Sequence, residues 1–162
     1  MRSNRVRSLL GLNNNTENEE NLKTLARLTG ATVVLRGQEL YIYGTEKQIE
    51  LSQQLVRSLE DLWSQGKSIS NADILTARQA LDTHRQGELQ ELQRDVLART
   101  RRGDEVRAKT FRQRQYIQYI RTHDLTFCSG PAGTGKTYLA VVIAAQALLA
   151  NQYERLILTR PA

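Results

Sequence analysis

The sequence predicts an α/β protein: a small N-terminal α+β module, ordered αββα, then the first part of a parallel-sheet domain built around a phosphate loop. Three observations carry this. Gly130-Pro131-Ala132-Gly133-Thr134-Gly135-Lys136-Thr137 is a complete G-x-x-x-x-G-K-[ST] pattern. Its flanks suit it, since Asp124-Leu125-Thr126-Phe127-Cys128 reads as a short buried strand and Tyr138 to Leu149 as an apolar, Ala-rich helix. Far upstream, a helical pattern, two β-branched and aromatic runs and a second helical pattern follow one another closely enough for an independent small fold.

In chain order, residues 1–15 are expected to be a flexible arm ending in Asn13-Asn14-Asn15. The αββα module spans 16–65. Thr16-Glu17-Asn18-Glu19 fits a capping box, Leu22, Leu25, Ala26 and Leu28 mark one helix face, and Gly30 stops it. Thr32-Val33-Val34-Leu35 and Leu40-Tyr41-Ile42-Tyr43 read as strands joined at Arg36-Gly37-Gln38. A second helix from Thr45 places Ile49, Leu55, Val56, Leu59, Leu62 and Trp63 on one side. Residues 66–108 are expected to be a partly helical, charged linker, opening with a short helix capped by Ser70 or Asn71. Beyond it, residues 109–162 form the nucleotide part: a helix over Gln113 to Arg121, the strand and loop, the helix, and a second buried strand at Arg155-Leu156-Ile157-Leu158-Thr159. A right-handed crossover makes the two strands parallel neighbours.

The loop's chemistry follows from its residue types. Gly130, Gly133 and Gly135 let the backbone curl so that successive N–H groups meet phosphate oxygens. Pro131 stiffens the entrance, and Ala132 and Thr134 complete the expected nucleotide-binding residues of the loop. The helix N-terminus adds its positive dipole end. Lys136 brings a full charge to the β- and γ-phosphates and is the expected catalytic residue. Thr137 offers Mg²⁺ a hydroxyl, which suits an ion that keeps several waters. ATP and Mg²⁺ are the expected cofactors.

Composition narrows the rest. The chain has 162 residues, 40% hydrophobic, with one Cys, two Pro and ten Gly, and a net charge of +6. Its basic balance suits a polyanion or a solvated basic surface. Cys128 stands alone, which fits a reducing compartment. No apolar run is long enough for a signal peptide core or a membrane span, so a cytoplasmic protein is expected. His84 and His123 are far apart, with no other ligands at metal spacing.

Thr122-His123-Asp124-Leu125-Thr126-Phe127, the loop with Tyr138-Leu139-Ala140, and Leu158-Thr159-Arg160-Pro161-Ala162 resemble the PhoH-like family of bacterial P-loop ATPases. The resemblance is strongest over residues 109–162 and implies a P-loop NTPase domain related to helicase-type ATPases, with an association to RNA metabolism. It places Gln113 where such proteins carry a glutamine upstream of the loop, implying an adenine reader. Phe111 and Arg112 stand where the family has Pro and Asn, and Gln115 is a rival two residues on. Arg160, at a strand end, is similarly placed to touch an RNA backbone.

The acidic residue that positions the Mg²⁺-bound water and an arginine finger are not recognised, so the chain is expected to be an N-terminal fragment, inactive by itself. RNA is the expected partner, through Arg160 and the basic stretch Arg99-Thr100-Arg101-Arg102 to Arg107, Lys109, Arg112 and Arg114; solvated linker charge is the competing reading. A KH-like role for the αββα module lacks a G-x-x-G clamp, although Tyr41 and Tyr43 share one strand face. A non-hydrolysing RNA-binding regulator, a P-loop phosphotransferase and an oligomer stay open.

Overall fold

An edge strand opens the structure where a flexible arm is expected. In the computed structural model, which describes residues 2–7, 16–36 and 39–159, β1 (Arg2–Arg7) pairs antiparallel with a later strand, Arg5 opposite Tyr41. Arg-Ser-Asn-Arg-Val-Arg has little strand propensity of its own. Its backbone groups are satisfied by the ladder that the partner's edge offers. The rest of the expected arm, 8–15, lies outside the described residues.

From there the αββα pattern holds. α1 (Thr16–Thr29) ends before Gly30, and β2 (Thr32–Arg36) and β3 (Glu39–Gly44) pair antiparallel. The sheet order is β1-β3-β2. Period-two alternation puts Leu40 and Ile42 in the core, while Tyr41 and Tyr43 stay half-buried. Tyr41 donates its hydroxyl hydrogen to Glu39 at 2.7 Å and lies under the Arg36 guanidinium, 5.6 Å from the ring centre. α2 (Glu46–Ser58) is opened by a full capping box between Thr45 and Gln48, a device that satisfies two otherwise orphaned donors. Its buried side, Ile49, Leu55 and Val56, continues into Leu59 and Leu62, around the short α3 (Glu60–Trp63). Trp63 is half-buried and its indole N–H donates to the Val56 carbonyl at 3.2 Å.

The stretch expected to be a partly helical, charged linker carries two helices. α4 (Asn71–Asp82) is capped by a Ser70–Asp73 box and buries Ile74, Ala77 and Ala80; α5 (Gln86–Arg94) buries Leu89 and Leu92. Long-range polar bonds seat them: Thr24 donates to Asn71 at 2.9 Å, Asn21 to the Ile69 carbonyl at 2.7 Å, and Gln93 to the Ser58 carbonyl at 2.9 Å. In α5 two leucines suffice because Leu89 and Leu92 are both almost fully buried. The chain divides into two compact units at Met1–Arg94 and Asp95–Ala162, inside that stretch.

The second unit begins with an antiparallel hairpin, β4 (Val96–Arg99) and β5 (Glu105–Arg107). α6 (Phe111–Thr122) and α7 (Lys136–Leu149) follow. Leu97, Val106, Ala108, Phe111, Ile117, Leu139 and Ile143 form its core. The two strands predicted on either side of α7 are not formed: residues 124–128 and 155–159 run as irregular chain. The structure is therefore mixed α/β with small antiparallel sheets, and the parallel sheet is absent among the described residues. Parallel strands need both faces covered. Here Leu125, Phe127, Ile157 and Leu158 are 72%, 88%, 76% and 71% exposed, so the described chain supplies no such cover.

Candidate functional site

The phosphate loop keeps its shape without a strand before it. Gly130, Gly133 and Gly135 have φ of +149°, +76° and +80°, a region that a Cβ makes costly. Gly135 is the N-cap of α7, so its carbonyl already accepts from Leu139 N–H at 2.9 Å while the first-turn amides lack intrahelical partners. Among the described residues, no backbone N–H from Gly133 to Thr137 donates to a protein acceptor. Unpaired donors converging at a helix N-terminus are what an anion satisfies.

Lys136 closes the loop on itself. Its ammonium donates to the Gly130 carbonyl at 2.9 Å, the Pro131 carbonyl at 2.6 Å and Thr134 Oγ1 at 3.4 Å. Thr134 donates to the Pro131 carbonyl at 3.0 Å, tightening the same ring. The charge is thus held over the loop mouth by neutral carbonyls, partners that a phosphate's full negative charge outcompetes. Thr137, on the exposed first turn of α7, has a hydroxyl with no protein partner among the described residues. One uncharged oxygen fits Mg²⁺ that takes its remaining ligands from phosphate and water. No group of three or more His, Cys, Asp or Glu gathers to hold a metal among the described residues.

Gln113 meets the loop directly. The Thr110 side chain caps α6 by accepting from Gln113 N–H at 3.1 Å. The Gln113 carboxamide accepts from Lys109 N–H at 2.7 Å and donates to the Thr134 carbonyl at 3.2 Å. Gln115, the rival, donates to the Tyr119 hydroxyl at 2.8 Å and has no bond to the loop. Beside the loop, Cys128 is exposed. Burial first, then the neighbouring Cys128, raise the Tyr116 hydroxyl above its ordinary value.

Charge is unevenly divided. Residues 95–162 hold 11 of the 23 Lys and Arg but 5 of the 17 Asp and Glu, so they carry the whole +6 and residues 1–94 are neutral. Arg101 and Arg102 sit exposed at the β4–β5 turn, while Arg99 pairs with Glu105 at 2.9 Å. The basic stretch is a hairpin and helix start, with its acids partly spent on internal pairing. Arg160 lies outside the described residues. No described helix is long and apolar enough to cross a membrane.

Comparison with known proteins agrees with the sequence resemblance. The family described as PhoH-like protein matches residues 105–162. A PhoH-like protein of Synechocystis sp. is 60% identical over 144 residues, covering 89% of this chain and 44% of that protein. Those of Bacillus subtilis and Mycobacterium bovis are 33% and 34% identical, covering 87% and 89% of this chain and 44% and 41% of their own lengths. The chain thus spans less than half the length of these curated relatives. No solved structure is significantly similar to it.

Proposed function

We propose that this chain, which belongs to the PhoH-like family, binds Mg·ATP through residues 130–137 and that the whole protein hydrolyses it. The observation that carries this reading is the run of undonated N–H groups from Gly133 to Thr137, in a loop whose carbonyls hold the Lys136 ammonium. Gly130, Pro131, Ala132, Gly133, Thr134 and Gly135 shape the cradle, and Lys136 swings from the loop carbonyls to the β- and γ-phosphates. Thr137 gives Mg²⁺ its protein ligand; the ion neutralises charge on the phosphate oxygens. Hydrolysis also needs a positioned water and a further charge clamp, which this reading assigns to the remainder of the whole protein.

The concentration of +6 in residues 95–162 favours coupling to a second polyanion, and RNA is the partner proposed. A cytoplasmic setting goes with it. Phosphate release by the whole protein, with and without single-stranded RNA, tests both parts. Release that RNA raises, and that Lys136→Ala abolishes, is expected. Undiminished release in Lys136→Ala overturns the site assignment. RNA bound with no release at all indicates a non-hydrolysing regulator, and phosphate recovered on an acceptor molecule indicates a phosphotransferase.

A further inference from the structure

A glutamine that reads adenine must present its carboxamide to the base, offering a donor and an acceptor side by side. Gln113 has both ends engaged elsewhere. Oε1 accepts from Lys109 N–H, just before α6, and Nε2 donates to the Thr134 carbonyl, in the crown of the loop. Two bonds in opposite directions fix the plane of the amide. They also tie the start of α6 to a loop 21 residues away. The loop is built around this side chain: a Cβ on Gly135 would lie 3.3 Å from Nε2, so Gly135 is small where Gln113 crosses it. Thr134 is held from the other side by Pro131. The bond from Gln113 holds the Thr134 carbonyl in its orientation.

We infer that Gln113 is a positioning residue for the phosphate loop and is indifferent to the base. It orders residues 133–135 for any triphosphate and does not select adenine. This rests on the reading of residues 130–137 as the triphosphate cradle, and it replaces the adenine-reading role that the family resemblance implies.

The test is equilibrium binding of Mg·ATP, Mg·GTP and inorganic tripolyphosphate to the protein and to Gln113→Met, which keeps the length and removes both bonds. All three ligands are expected to weaken by a similar factor, on the order of fivefold to tenfold for the loss of these hydrogen bonds, with the ATP-to-GTP ratio unchanged. A loss confined to ATP, with tripolyphosphate binding untouched, overturns the inference while leaving the cradle intact. Wild-type protein that binds neither ATP nor tripolyphosphate overturns the cradle and this inference with it. A second measurement needs no variant. Hydrogen exchange of the Lys109 amide is expected to be equally protected with ATP and with tripolyphosphate, because Gln113 stays in place. Protection that ATP abolishes and tripolyphosphate preserves shows the carboxamide leaving for the base and overturns the inference.

Discussion

Met1–Arg94 and Asp95–Ala162 are built on opposite terms. The first is electrically neutral, covers β3 with α2 and opens α2 and α4 with reciprocal caps at Thr45–Gln48 and Ser70–Asp73. The second carries the whole net charge, has a thinner core and leaves Phe127 and Ile157 largely in water. Its four positive-φ glycines would weaken an ordinary domain. The contrast teaches where binding resides: the open amides of the second unit's loop are what a ligand can satisfy.

That contrast can be broken most forcefully in the first unit. Leu55→Ala, at a side chain with no solvent exposure, is expected to cost about 2–5 kcal/mol of stability and to leave nucleotide affinity unchanged, as read by denaturant unfolding beside an ATP titration. Lost affinity at equal folded fraction would show the units to be dependent. Gly135→Ala acts in the other direction. With φ at +80° and Gln113 close by, it is expected to weaken triphosphate binding by about 1–2 kcal/mol, with unfolding of the first unit unaltered.

Smaller changes sharpen the charge side of the comparison. Arg101→Ser at the hairpin turn is expected to weaken RNA binding for all sequences alike and to lower the salt slope by about 1; an unchanged slope would remove this arginine from the interface. The smallest effect is at Tyr116, whose hydroxyl is raised by burial and then by Cys128. A group raised on folding contributes stability that is present below its ordinary value of 10.0 and lost as pH climbs through the folded value. Stability of the wild type is therefore expected to fall faster than that of Tyr116→Phe in alkaline solution, by denaturant melts across that range.

What the residues made legible follows from how local each feature is. The αββα order could be read because helical spacing at Ile49, Leu55 and Val56 and alternation at Leu40 and Ile42 lie within single elements. The loop could be read because its eight positions are contiguous. β1 could not, because Arg2–Arg7 acquires strand geometry from the edge of β3. α5 was hidden by having few apolar residues, although Leu89 and Leu92 are almost entirely buried. Residues 124–128 and 155–159 erred the other way: apolar runs look like strands, but a strand exists only where a partner pairs with it. The Gln113–Thr134 bond spans 21 residues, and no local pattern announces it.

The central claim is that the amides of residues 133–137 receive a triphosphate beneath Lys136. Amide chemical shifts of the protein, followed through a Mg·ATP titration and repeated on Lys136→Ala, test it most directly. The account predicts saturable shifts at Gly133, Thr134, Gly135, Lys136 and Thr137, with an affinity reduced roughly 10- to 100-fold in Lys136→Ala by loss of a charge-assisted bond. Amides of the loop that stay still while ATP shifts others, or an affinity that Lys136→Ala leaves unchanged, would contradict it.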